Sequence, residues 1–160
     1  MDTLDLLKLK GAVVPGHFVL KSGMHSDMFF NIPALARRPL EGRQDADGLA
    51  AQFADYGVDT VVGVASGGLK FASWTAEKLE SINAERWQAG MPYKPVHCVD
   101  TTKCSTGRLL INPIDAEYIN GRRCIVIDDL ATTGKTIREV EGEILRYGGM
   151  VVGAGSIVQR

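Results

Sequence analysis

The chain has 160 residues, 45% of them hydrophobic and 23% charged, with a formal net charge of −1. That is enough for one domain with a sizeable core, and the interspersed acids and bases exclude a nucleic-acid binder that relies on a basic surplus. No apolar run approaches a membrane span and the opening Met1-Asp2-Thr3-Leu4-Asp5 is acidic, unlike a signal peptide, so a cytoplasmic protein with no membrane or nucleic-acid partner is expected.

In chain order, Leu4, Leu7 and Leu9 predict a short helix ending near Gly11. His17 to Leu20 and Ser26 to Asn31 read as two short strands around the turn Lys21-Ser22-Gly23. Gly42 to Tyr56 has a helical pattern, with Leu49, Phe53 and Tyr56 on one face. A β-branched strand, Thr60 to Val64, runs into the tight loop Gly63-Val64-Ala65-Ser66-Gly67-Gly68, and Leu69, Ala72, Ala76 and Leu79 mark the helix after it. Lys94 to Val99 and Arg108 to Ile111 read as strands flanking a polar loop, which is either a lid or a hairpin tip. Cys124 to Ile127 is an apolar strand, followed by a helix with Ile137, Val140 and Ile144 on one face, and Met150 to Val158 is the last strand. The cysteines Cys98, Cys104 and Cys124 lack metal-site spacing, and His97-Cys98 with Cys104 offers too few ligands for zinc. Strands alternating with helices predict an α/β fold, a mostly parallel sheet flanked by helices, with ligands bound beyond the carboxyl ends of the strands.

The most informative stretch is Cys124-Ile125-Val126-Ile127-Asp128-Asp129-Leu130-Ala131-Thr132-Thr133-Gly134-Lys135-Thr136. A strand that enters a loop and then a helix start makes an anion site, because unpaired N–H groups and the positive end of the helix dipole point the same way. Thr132, Thr133 and Thr136 add hydroxyl donors, and Gly134 lets the backbone close around a phosphate. Asp128 and Asp129, placed where the strand must end, would repel a bare polyphosphate but suit sugar hydroxyls or a phosphate-bound Mg²⁺. Gly134-Lys135-Thr136 spells the end of a Walker A loop, but that loop needs a glycine where Asp129 stands. A plain strand-to-helix turn capped by Asp129 or Thr132 needs one such residue, not five together.

This segment resembles the 5-phosphoribosyl 1-pyrophosphate (PRPP) signature of the type I phosphoribosyltransferases. Gly16-His17-Phe18-Val19-Leu20-Lys21-Ser22-Gly23, with Ser26 and Phe29-Phe30-Asn31, is similar to the opening of the orotate phosphoribosyltransferases. The resemblance implies a single phosphoribosyltransferase-like domain, with residues 1–40 as a small N-terminal hood and 41–160 as the core. It implies that Ala65, Ser66, Gly67 and Gly68 hold the pyrophosphate, and that Ala131, Thr132, Thr133, Gly134, Lys135 and Thr136 seat the 5-phosphate. Asp128 and Asp129 would hold the ribose hydroxyls and reach Mg²⁺ only through PRPP or water. Lys21 would contact the pyrophosphate side, Phe29 and Phe30 would wall the base, and Arg160 would pair with the orotate carboxylate. The implied reaction transfers the phosphoribosyl group of PRPP to a nitrogenous base, orotate or similar, with release of pyrophosphate in nucleotide biosynthesis by a homodimer.

The match breaks in one loop. Where the orotate family carries a mobile loop with an Arg-Lys pair, another Lys and a His-Gly, this chain reads His97 to Arg108 with only Lys103 and Arg108 cationic. Lys103 is then the expected catalytic cation. The family also continues through a further strand and helix, beyond what these 160 residues contain. The thinned loop leaves an alternative, a catalytically weak or inactive PRPP- or nucleotide-binding regulator.

Overall fold

The computed structural model describes residues 3–20 and 23–159, which divide into two compact units, 1–42 and 43–160. The first unit holds α1 (Thr3–Leu9) and an antiparallel hairpin of β1 (Val13–Val19) and β2 (His25–Phe30). β1 begins earlier than the sequence pattern suggests because Pro15 and Gly16 disguise it. The chain absorbs them in a register shift between Pro15 and Phe18, the tolerated place for proline in a strand. A 3-10 turn, Ile32–Arg37, follows with Pro33 in its first turn and buries Ile32 and Leu35. Lys21 and Arg160 lie outside the described residues.

α2 (Pro39–Phe53) leads into the second unit, starting at a proline whose fixed φ suits a first helical turn. The second unit is a sheet of five strands in the order β5-β4-β3-β6-β7, comprising β3 (Thr60–Gly63), β4 (His97–Lys103), β5 (Leu109–Ile111), β6 (Arg123–Ala131) and β7 (Met150–Gln159). All neighbours are parallel except the β4–β5 hairpin, so the expected mostly parallel α/β sheet is what the chain forms.

Connectivity decides where a ligand can sit. From β3 the chain passes through α3 (Gly68–Gln88) to β4 on one side, and from β6 through α4 (Lys135–Arg146) to β7 on the other. β3 and β6 are neighbours whose crossovers diverge, which opens a crevice at their carboxyl ends. Alternation along β3 sorts the two faces: Gly63 packs against Ala72 and Leu69 of α3, while Val62 and Val64 join Val126, Val140 and Ile144 of the α4 layer. On β7, side chains at Gly153 and Gly155 would meet Phe53 and Leu49, so α2 lies close on that strand. Tyr56, expected on the same helical face, lies past the helix end and is 47% exposed.

Three strands, β4, β6 and β7, extend past their expected ends. β4 runs on to Lys103, because Val99 and Thr101 turn inward while Asp100 and Thr102 turn out. The polar run ends in a hairpin tip, with the Cys104 N–H on the Arg108 carbonyl at 2.8 Å and Gly107 at φ 83°. A second 3-10 turn, Pro113–Tyr118, gave no periodic signal in the sequence.

Candidate active site

The crevice between β3 and β6 receives both glycine-bearing loops. Strand β3 ends in register at Gly63 opposite Ile127, and the Val64 N–H donates to the Ile127 carbonyl at 3.0 Å. The loop then crosses in front of β6. A Cβ on Gly68 would lie 2.6 Å from the Ile127 carbonyl oxygen, and one on Gly67 would overlap the Asp129 carboxylate. Only glycine permits that approach. Thr101 fastens the loop from the other side: its hydroxyl donates to the Gly63 carbonyl and accepts the Ala65 N–H, each at 2.9 Å. The peptide joining Ala65 and Ser66 is cis.

The acid pair is not placed as its sequence suggests. Asp128 and Asp129 lie inside β6, which continues to Ala131, rather than after its end. The reason is that β6 has two partners of unequal reach. Its ladder to β3 stops at Ile127, while its ladder to β7 pairs Asp128 with Ser156 and Ala131 with Gln159. The acids are thus free of β3 while still braced by β7.

Asp128 is 6% exposed and its Oδ1 accepts the Asp129 N–H at 2.8 Å. Burial, followed by the Asp129 side chain beside it, pushes the Asp128 carboxyl up to about 7. Asp129 is half-buried, and its Oδ1 accepts the Leu130 N–H at 2.9 Å. The pair thus includes one carboxyl, that of Asp128, poised to gain or lose a proton near neutrality.

Beyond Ala131, Thr132 and Thr133 are exposed and Gly134 turns at φ 71°, a left-handed conformation natural to glycine, before α4 begins. Gly134 at the N-cap has no side chain to cap α4, the Thr133 hydroxyl accepts the Lys135 N–H at 3.4 Å, and the first turn contains no acid. The first N–H satisfied within the helix is that of Arg138, on the Gly134 carbonyl at 3.0 Å, so by helix geometry those of Lys135, Thr136 and Ile137 have no carbonyl partner in α4. Capping by Asp129 or Thr132 is therefore not what forms, and the amides of Thr136 and Ile137 and the dipole's positive end remain available to an anion. Asp128 and residues 130–137 line a cavity of about 30 Å³ at this turn.

Of the loop Ala65 to Gly68, Gly67 and Gly68 are thereby brought against Asp129 and Asp128, which lead straight into residues 131–136. Lys103 closes β4 three residues past the Gly63–Asp100 register, at the same end of the sheet. Its Cε lies 3.8 Å from where a Cβ on Gly107 of its own hairpin would sit. Arg108, the other expected cation, points toward the Glu143 carboxylate at 4.0 Å. Phe29 and Phe30 end β2 in the first unit, where the Phe29 ring lies 5.4 Å from that of Phe18. Two residues escaped the sequence reading. Thr101 sat in a segment read as loop, where nothing marked it. Arg138, whose Nη2 donates to the Thr133 carbonyl at 2.9 Å, follows Gly134 by one helical turn, a spacing that could have flagged it.

The donor set limits how Mg²⁺ could be held. Among the described residues no group of three or more His, Cys, Asp or Glu side chains is arranged to bind a metal, the His97-Cys98-Cys104 set included. Two adjacent carboxylates fit a hydrated Mg²⁺ whose other ligands come from water and substrate phosphates, which is how this cation is commonly bound. No described helix is long and apolar enough to cross a membrane.

Comparison with known proteins bears on the reaction. Residues 40–160 match the family model described as the phosphoribosyl transferase domain. Orotate phosphoribosyltransferase of Thermus thermophilus is 32% identical over 163 aligned positions, covering 100% of this chain and 79% of the relative. The enzyme of that name from Thermotoga petrophila is 32% identical, covering 98% and 74%. The crystal structure of orotate phosphoribosyltransferase from Aeropyrum pernix superposes with a TM-score of 0.69 at 28% identity, covering 98% of this chain and 80% of that one. These relatives carry the names of transferases, so the binding-only regulator finds no support.

Proposed function

This chain belongs to the phosphoribosyltransferase family, and more narrowly to the orotate phosphoribosyltransferases, and from that premise we propose that it moves the 5-phosphoribosyl group of PRPP onto orotate, releasing pyrophosphate. Phosphoribosyl transfer in pyrimidine biosynthesis is the activity of its family; orotate as the acceptor is the finer reading. One observation carries the phosphoribosyl part of the proposal: the Ala65–Gly68 loop packs against the acid pair, and the acid pair leads without a break into a helix start opened by Gly134. Those are the surroundings a sugar with phosphates at both ends requires.

In this reading Thr132, Thr133, Gly134, Lys135 and Thr136 seat the 5-phosphate through amides and hydroxyls. Asp128 and Asp129 accept the ribose 2- and 3-hydroxyls. Their carboxylates lie where positive charge grows on the ribose as the bond to pyrophosphate breaks, so their attraction is larger in the transition state than in the ground state. The loop of Ala65, Ser66, Gly67 and Gly68 receives the pyrophosphate. Asp128 and Asp129 would hold a hydrated Mg²⁺ indirectly, and that ion when bound would offset the charge of the leaving group. Lys103 adds a cation at the same end of the sheet, Lys21 is assigned to the pyrophosphate side, and Phe29, Phe30 and Arg160 to the base. Positioning and electrostatics supply the catalysis, with no side-chain nucleophile. We assign the working form as a cytoplasmic homodimer, by family.

Steady-state assay with PRPP, Mg²⁺ and a panel of bases tests the acceptor. Pyrophosphate release that requires orotate supports it; release with a purine base in place of orotate overturns it.

A further inference from the structure

Helix α4 carries the phosphate turn at its amino end, and its flank is fastened to the edge of the sheet. β5 is that edge, and two of its N–H groups are taken by α4 carboxylates. The Leu109 N–H donates to Glu139 Oε1 at 3.0 Å and the Ile111 N–H to Glu143 Oε2 at 3.3 Å. Glu143 is 4% exposed and is held in turn by Arg146 Nη2 at 2.9 Å. Leu109 and Ile111 also share a buried cluster with Val140 and Ile144 of α4. Close packing and directed bonds of this kind make the hairpin and the helix one rigid piece.

Leu109 is the cross-strand partner of Lys103. A restraint on the Leu109 backbone is therefore a restraint on the residue expected to supply positive charge to the leaving group. Glu139 stands five residues after Gly134, so the same helix that presents the phosphate amides also grips the hairpin beside Lys103.

We propose that Glu139 is a positioning residue, which by holding the Leu109 N–H fixes the distance from the Lys103 ammonium to the phosphate turn at the head of α4. The proposal rests on the reading of Lys103 given above. Glu139 touches no reacting atom; it acts through the hairpin. Misplacing a catalytic group by about 1 Å can cost up to about 10²-fold in rate, so a restraint on the backbone next to it is enough to matter.

The test is a double-mutant cycle on the full chain, with E139A, E139Q, K103A and K103A/E139A assayed for PRPP turnover. E139A should lower kcat about tenfold and leave KM for PRPP within about twofold, because the phosphate amides are untouched. E139Q, which keeps an acceptor oxygen for the Leu109 N–H, should recover most of that loss. In the K103A background, E139A should cost no more than about twofold. Hydrogen exchange at the Leu109 amide gives a readout independent of turnover, and should speed up in E139A but not in E139Q. Full additivity of the two substitutions, or an unchanged kcat in E139A while K103A is impaired, overturns the proposal. An unimpaired K103A removes the reading of Lys103 and the proposal with it, and is told apart by that single variant.

Discussion

The carboxylate of Asp129 fills the space in which a side chain on Gly67 would begin. The loop after β3 and the end of β6, about sixty residues apart in sequence, are therefore in atomic contact. Gly67→Ala must displace either the carboxylate or the loop. The expected result is a fall in kcat/KM of about 10²-fold, the scale of a misplacement of about 1 Å. Steady-state kinetics checks it. Gly142→Ala is the control, since nothing lies within 4 Å of its added Cβ, and it should keep full activity and gain about 0.5 to 1 kcal/mol.

Asp128 should show a stability cost that depends on pH. Burial, then the neighbouring Asp129, raises its carboxyl to about 7 in the folded protein, above its unfolded value. Between roughly pH 4 and 7 the folded state thus binds the extra proton, and stability contributed by this group falls as pH rises through that window. Asp128→Asn removes the ionisation. At pH 8 it should be more stable than the parent by on the order of 2 to 4 kcal/mol, with the gap closing toward pH 4. Melting curves across that range check it, and turnover at pH 8 should fall sharply in the same variant.

Arg138 braces the turn proposed to seat the 5-phosphate, its Nη2 on the Thr133 carbonyl at 2.9 Å and Nη1 3.1 Å from where a Gly134 Cβ would sit. Arg138→Ala should loosen the turn and raise KM for PRPP about fivefold to tenfold, with a smaller change in kcat. Arg138→Lys retains the charge but loses the planar fork and should fall between the two.

Thr75 is fully buried in α3, and its hydroxyl has no partner among the described residues. Thr75→Val exchanges that hydroxyl for a methyl of similar size. It should stabilise the protein by about 1 kcal/mol and raise Tm by about 3 °C without changing turnover.

The fold was legible wherever periodicity was strong. Thr60 to Gly63, Cys124 to Ile127 and the Val140–Ile144 face announce a parallel sheet and its helix, because burial on both faces leaves few polar residues to blur the pattern. Val13 to Gly16 hid a strand behind a proline and a glycine, since a bulge has no hydrophobic signature. The acid pair stood out in the sequence but was misplaced as geometry: local sequence cannot tell that β6 has a short neighbour and a long one. Likewise nothing local tells that Thr101 buttresses the Ala65 amide, or that Glu139 reaches Leu109, because both contacts come from tertiary packing alone.

The most direct measurement is a crystal structure of the protein soaked with PRPP and Mg²⁺. The expected result has the 5-phosphate within hydrogen-bond distance of the amides of residues 132–136, the ribose hydroxyls on Asp128 and Asp129, and the pyrophosphate along Ala65 to Gly68. A ribose phosphate seated anywhere else, or bound at this turn with both carboxylates directed away from the sugar, would contradict it.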